Sequence, residues 1–187
     1  MEKYLPRKPR LLHATPGWVN DPEHFITICC APRGKNQLCY PSISRFVFEA
    51  FHFHHLKDSC RTELLVLMPD HLHVILKAAD SLNLDLWIFH LKHWLSRTRR
   101  INFQENFFDH RLRTSNSAAE KWNYVNMNPV RAGLVKYPED WPYRYTISDF
   151  ERGRATSQGD KSLRRLTGYS SLKTVRGGLG TARPTDD

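Results

Sequence analysis

Leu64-Leu65-Val66-Leu67-Met68-Pro69-Asp70-His71-Leu72-His73-Val74-Ile75-Leu76 reads as two apolar strands joined at Pro69-Asp70. Proline presets the backbone for a tight turn and aspartate bonds its own backbone there, so the two runs should pair antiparallel. His71 and His73 stand two residues apart on the second strand, and alternate strand residues share a face. Two neutral imidazoles on one rigid face supply two ligands of a divalent-metal site. The plainer alternative is a pair of surface histidines on a pleat, or one packed and one capping, and His-X-His alone does not decide between them.

Working outward, residues 1 to 24 carry Pro6, Pro9, Pro16, Gly17 and Pro22 and read as irregular. Phe25 to Cys30 is rich in β-branched and aromatic residues and reads as a first strand, followed by a basic turn with Arg33 and Lys35. From Ser42, Ile43, Phe46, Val47, Ala50, Phe51 and His54 recur at helical spacing. His52 and His55 share this helix and read as surface residues. A second helix is predicted from Leu84 to Arg99 on the stripe Leu84, Ile88, Leu91 and Leu95, with Trp87 and Trp94 beside it. His93, Arg97 and Arg100 form its cationic edge, a candidate for phosphate contact. Phe103 to Arg113 reads as a loop and a fourth strand.

A third helix is predicted from the capping pattern Ser117-Ala118-Ala119-Glu120 to about Asn128, where Pro129 disfavours continuation. Strand, helix, strand, strand, helix, strand is the split βαβ order of an α+β, ferredoxin-like fold: an antiparallel sheet with both helices on one face. The third helix is then an addition, free to lie across the site face. After Phe150 the apolar pattern collapses, which predicts one domain over 1–150 and a basic, disordered tail over 151–187.

The 187 residues suit a single well-cored domain, and no apolar run approaches the roughly 20 residues of a membrane helix. No secretory pattern follows Met1, so the cytoplasm is the default location. Cys29, Cys30, Cys39 and Cys60 form no C-x-x-C pair, which argues against a zinc ribbon or a disulfide framework. The formal net charge of +9 favours a polyanionic partner, with nucleic acid the leading candidate and simple solubility the alternative.

Tyr124 and Asn128 lie at i and i+4 on the third helix and so share a face. Asn128 offers a neutral carbonyl oxygen as a third metal ligand, or else caps the turn that starts at Pro129. Tyr124 offers a phenol for covalent attack on a phosphodiester, or else is a half-buried aromatic. A free tyrosine, with a pKa near about 10, is a poor nucleophile, so such chemistry needs a nearby metal.

Three segments in order carry a family resemblance: Met68 to Leu76, then Phe107-Phe108-Asp109-His110-Arg111-Leu112-Arg113, then Tyr124-Val125-Asn126-Met127-Asn128-Pro129-Val130-Arg131-Ala132-Gly133-Leu134-Val135. Together they resemble the REP-associated tyrosine transposases, single-tyrosine HUH transposases of the TnpA-like insertion-sequence group. The resemblance spans about Arg7 to Trp141 and leaves the tail uncovered. It implies that His71 and His73 are metal ligands, that Tyr124 is the nucleophile that becomes joined to a 5′-phosphate, and that Asn128 sits where a polar third ligand falls. It implies magnesium or manganese as cofactor and, as substrate, single-stranded DNA with an imperfect hairpin, cut and rejoined next to a short guide sequence. Arg33, Lys35, His93, Arg97, Arg100, Arg111, Arg113 and Arg131 are the candidate DNA contacts. Both monomers and homodimers occur among such enzymes. The competing reading is a domesticated relative that binds hairpin DNA without cutting it. Two departures are Phe103-Gln104, where Trp-Gln is common, and Arg144 after Trp141-Pro142-Tyr143.

Overall fold

In the computed structural model, residues 23–112 and 115–156 are described. The sheet begins with β1 (Glu23–Cys29), and α1 (Pro41–Leu56) crosses to β2 (Cys60–Met68), which turns at Pro69-Asp70 into β3 (His71–Ala78). Next come α2 (Leu84–Arg99), β4 (Phe108–Leu112), α3 (Ser115–Asn126) and the short α4 (Asn128–Arg131). β5 (Arg144–Thr146) and α5 (Ile147–Thr156) end the described chain. The strand order β4-β1-β3-β2-β5, with every pairing antiparallel, contains the expected ferredoxin-like core with one strand added at the β2 edge.

Alternation along the strands gives the sheet two apolar faces, and each is covered. Ile26, Ile28, Leu65, Leu67, Leu72, Val74 and Leu76 pack under α1, α2 and α5, with Val47, Phe51, Trp87, Ile88, Leu91 and Phe150. On the opposite face Phe25, Leu64, Val66, Met68, Ile75 and Leu112 receive Val125 of α3, which is fully buried. A fully buried side chain of this size contributes roughly 1.5–3 kcal/mol. The third helix therefore lies across the histidine-bearing face, as its place outside the split βαβ unit allows.

Several local expectations need correction. α3 begins at Ser115, so Ser117 is inside the helix rather than its cap. His52 and His55 are buried, not on the surface, because α5 closes over that side of α1: Phe150 stacks on His55 at 5.4 Å between ring centroids. α2 spans the predicted residues, with Asn83 Oδ1 accepting from Leu86 N–H as its cap.

β5 and α5 were not foreseen. Three residues are too short to show a period of two, yet β5 is fixed by pairing Thr146 with Leu64 and Arg144 with Val66. α5 starts with a cap in which the Thr146 N–H and hydroxyl both donate to Asp149 Oδ2, at 2.8 and 2.9 Å. It carries the chain past Phe150 to Thr156. Residues 157–187, most of the segment read as a disordered tail, lie outside the described residues, as do residues 1–22.

Among the described residues all four cysteines are free thiols; Cys30, Cys39 and Cys60 are buried and Cys29 partly so. Burial pushes the thiols of Cys30, Cys39 and Cys60 up to about 12, which suits packing rather than reactivity. No helix among the described residues is long and apolar enough to cross a membrane.

Candidate active site

The register of β1, β3 and β2 builds the site row by row. Cys29, His71 and Met68 lie side by side, then Thr27, His73 and Val66, then Phe25, Ile75 and Leu64. His71 and His73 thus point the same way, their ring centroids 4.8 Å apart and their planes nearly perpendicular.

Each imidazole is held through Nδ1. His73 Nδ1 is 2.8 Å from Thr27 Oγ1, and His71 Nδ1 donates to Asp70 Oδ1 at 2.7 Å. Asp70 is fixed in turn by the loop after β1: the Gly34 N–H donates to its Oδ2 at 2.7 Å, and Arg33 Nε lies 3.1 Å from the same oxygen. Gly34 has φ +78°, a conformation that glycine alone takes up readily, which lets its N–H turn to the carboxylate. Burial opposes ionisation of Asp70, but the Gly34, His71 and Arg33 contacts outweigh it and hold the carboxyl below its ordinary value.

Burial, with His71 and Arg33 adding to it, pushes His73 down to about 3. His71 is lowered as well, by burial first, against the opposing pull of Asp70. Both rings are therefore neutral, the form that binds a metal. With Nδ1 engaged, Nε2 is the remaining ring nitrogen on each, and His73 Nε2 is buried with no hydrogen-bond partner. An orphaned buried nitrogen is costly unless something satisfies it. A carboxylate holding the far side of an imidazole is the usual companion of a metal-binding histidine. The donor set fits a divalent metal. Among the described residues no cluster of three His, Cys, Asp or Glu side chains that could hold a metal exists, so any ligand beyond the two imidazoles would be an amide, water or substrate.

α3 brings Tyr124 over this pair in the same chain. Its ring centroid lies 6.2 Å from that of His73 and 6.1 Å from that of Phe25, edge-on to both, and the residue is 40% exposed. Lys121 Nζ is 5.5 Å from the Tyr124 ring centroid and the Arg131 guanidinium 5.0 Å. The end of α3 is tied down by Arg144 Nε, which donates to Asn126 Oδ1 at 2.6 Å. Asn128 donates its amide to the carbonyls of Tyr124 and Val125, at 2.9 and 3.4 Å. That bonding closes the last turn of α3 and leaves Oδ1 as the atom with which Asn128 can bind a ligand.

Not every candidate gathers here. Arg33 joins the site through Asp70 and Arg131 through Tyr124, while Lys35 is exposed on the Arg33 loop. His93, Arg97 and Arg100 are exposed at α2, on the other side of the sheet. Arg100 is also the left-handed cap that follows α2. Arg111 pairs with His24, and alternation turns both away from the histidine face. Arg113 lies outside the described residues. Sequence reading missed Thr27, Asp70, Phe25 and Lys121. The available signals were alternation along β1 for Thr27 and Phe25, the position next to His71 for Asp70, and the i−3 spacing from Tyr124 for Lys121.

The buried histidines also set the acid stability of the metal-free chain. His73 and His54, lowered to about 3 and about 4 by burial, protonate more readily unfolded than folded. Their contribution to stability is thus complete above about pH 6.5, the ordinary histidine value, and is lost as pH falls from there through 4 towards 3. Denaturant midpoints measured from pH 7.5 to 4 should fall steadily below pH 6.5; a flat profile would contradict the neutral assignment.

No protein-family model matches the chain. It is 26% identical over 138 residues to a Haemophilus influenzae protein assigned as a REP-associated tyrosine transposase, covering 64% of this chain and 77% of that one. It is 30% identical over 91 residues to the REP-associated tyrosine transposase of Escherichia coli K12, covering 47% of this chain and 55% of its relative. The fold matches a solved REP-associated tyrosine transposase bound to a REP hairpin with a TM-score of 0.60 at 20% identity, over 82% of this chain and 87% of that one. In sequence this chain is similar to the REP-associated tyrosine transposases, and it shares the fold of the solved one.

Proposed function

We propose that this protein cleaves and rejoins single-stranded DNA beside an imperfect hairpin, through a 5′-phosphotyrosine at Tyr124. The observation that carries this reading is the placement of Tyr124 over two neutral histidines of its own chain, 6.2 Å from His73 between ring centroids. The phenolic oxygen bonds to phosphorus and the bond to the 3′ oxygen breaks. The phenol's proton passes to solvent and the departing 3′ oxygen takes one up. The phosphodiester energy is kept in the protein–DNA bond, so a second 3′ hydroxyl can reverse the step without a nucleotide cofactor.

His71, His73 and Asn128 would hold a magnesium or manganese ion, which supplies polarisation of the scissile phosphate and charge neutralisation. Two imidazoles and an amide oxygen suit manganese somewhat better than magnesium. Thr27 and Asp70 orient the two imidazoles; Phe25 supports the tyrosine ring from the sheet. Lys121 and Arg131, the cations beside that ring, suit the phosphates on either side of the attacked bond. Tyr124 and both histidines come from one chain, which favours action as a monomer. The hairpin substrate is supported by the net charge of +9 and by the hairpin bound to the structural relative.

The test uses labelled hairpin DNA from the flanks of the protein's own gene, with manganese or magnesium, resolved on a denaturing gel. Metal-dependent cutting with a slow-migrating adduct is expected. Tight binding without cutting in either metal would replace this reading with a hairpin-binding protein. Asp70→Ala should weaken manganese binding about 10–100-fold, the usual cost of losing an outer partner of a histidine ligand, by titration calorimetry. Unchanged affinity would remove Asp70 from the site.

A further inference from the structure

We infer that Phe108 and His110 form a stacking shelf for an unpaired nucleobase next to the phosphate that Tyr124 attacks; this rests on the single-stranded DNA reading above.

Phe108 and His110 are alternate residues of β4, an edge strand, and both face the histidine side of the sheet beside Thr27 and Phe25. Asp109 between them turns the other way. Its carboxylate, with a side chain only 1% exposed, meets His24 Nδ1 at 3.0 and 3.2 Å. That buried contact fixes the strand's facing and so holds both rings outward.

Phe108 is 56% exposed, and its ring lies nearly parallel to that of His110, with 10° between planes and 6.5 Å between centroids. One exposed phenylalanine is unremarkable in itself. Its neighbours give this one meaning. Phe108 meets Phe25 edge-on at 5.9 Å, and Phe25 meets Tyr124 edge-on at 6.1 Å and His73 at 5.6 Å. Phe108 is thus two ring spacings from the nucleophile, on the same floor, with His110 beside it. Lys121 Nζ stands 5.6 Å over Phe25 and 5.5 Å from the Tyr124 ring, where a backbone phosphate would pass.

Two parallel, outward-facing rings with a cation alongside are what a flexible single strand needs: the base stacks and the phosphate is neutralised. A duplex keeps its bases stacked inside and offers none to such a shelf, so the geometry selects the unpaired flank rather than the hairpin stem. Stacking accepts any base, so the shelf places the strand rather than reading it.

The experiment measures binding of hairpin DNA with a single-stranded flank to the full chain, Phe108→Ala and Phe108→Trp, with an abasic residue stepped through the flank. Phe108→Ala should weaken binding about tenfold, and Phe108→Trp should restore it. One abasic position should cost the parent the same factor and cost Phe108→Ala nothing further. Equal affinities for parent and Phe108→Ala, with unchanged abasic profiles, would overturn the shelf. If the parent forms the covalent adduct while Phe108→Ala binds normally, the shelf falls and the transesterase stands. If flank binding depends on Phe108 but no adduct forms, the shelf stands and the transesterase falls. A parent that does not bind the flank would overturn both.

Discussion

Tyr124→Phe should abolish cleavage of hairpin DNA, by about 10⁴-fold or more, while binding stays within about twofold of the parent. The exchange removes one oxygen and keeps the ring. The edge contacts with Phe25 and His73 persist, as do the approaches of Lys121 and Arg131, because all of them use the ring rather than the hydroxyl. The side chain is partly exposed, so the fold is not disturbed by an unfilled space. A gel shift and a denaturing gel on the same samples separate the two properties. Residual cleavage near the parent's rate would mean that water, not tyrosine, attacks the phosphate.

His73→Ala should lower metal-dependent cleavage by more than the about 10–100-fold that loss of an outer partner costs, with a parallel loss of manganese affinity. His73 is the more deeply buried of the pair, and its Nε2 has no other partner to lose. Thr27→Val is the informative comparison. It keeps the imidazole and removes only the hydroxyl at its Nδ1, so the loss should be about tenfold and partly recovered at higher manganese. Thermal unfolding of both variants distinguishes damage to the sheet from damage to the site. Manganese affinity unchanged in His73→Ala would refute the metal assignment.

The fold was legible because its strands are long and apolar where they are buried. Leu64 to Met68 and His71 to Leu76 could hardly form anything but a central hairpin, and Leu84 to Leu95 carries an unbroken helical stripe. β5 escaped because three residues carry no period, and α5 because its one large core contact, Phe150, sits among charged and small residues. His52 and His55 were misread for the same reason: what buries them is the unforeseen α5. At the site, the histidines and tyrosine stood out by residue type and spacing. The residues that orient them did not. Thr27 is 46 positions from His73 and meets it only through strand register, while Arg33 and Gly34 reach Asp70 across 37 and 36 positions. Charge proved a poor guide to location: Arg97 and Arg111 look equivalent to Arg131 in the sequence, yet only Arg131 lies against the tyrosine.

Whether Tyr124 itself becomes joined to DNA is read from the intact mass of the protein after incubation with its hairpin DNA and manganese. A mass gain equal to the 5′-phosphorylated fragment, mapped by peptide analysis to Tyr124 and absent in Tyr124→Phe, is the predicted result. Cut DNA with the protein's mass unchanged, or an adduct on another residue, would contradict it.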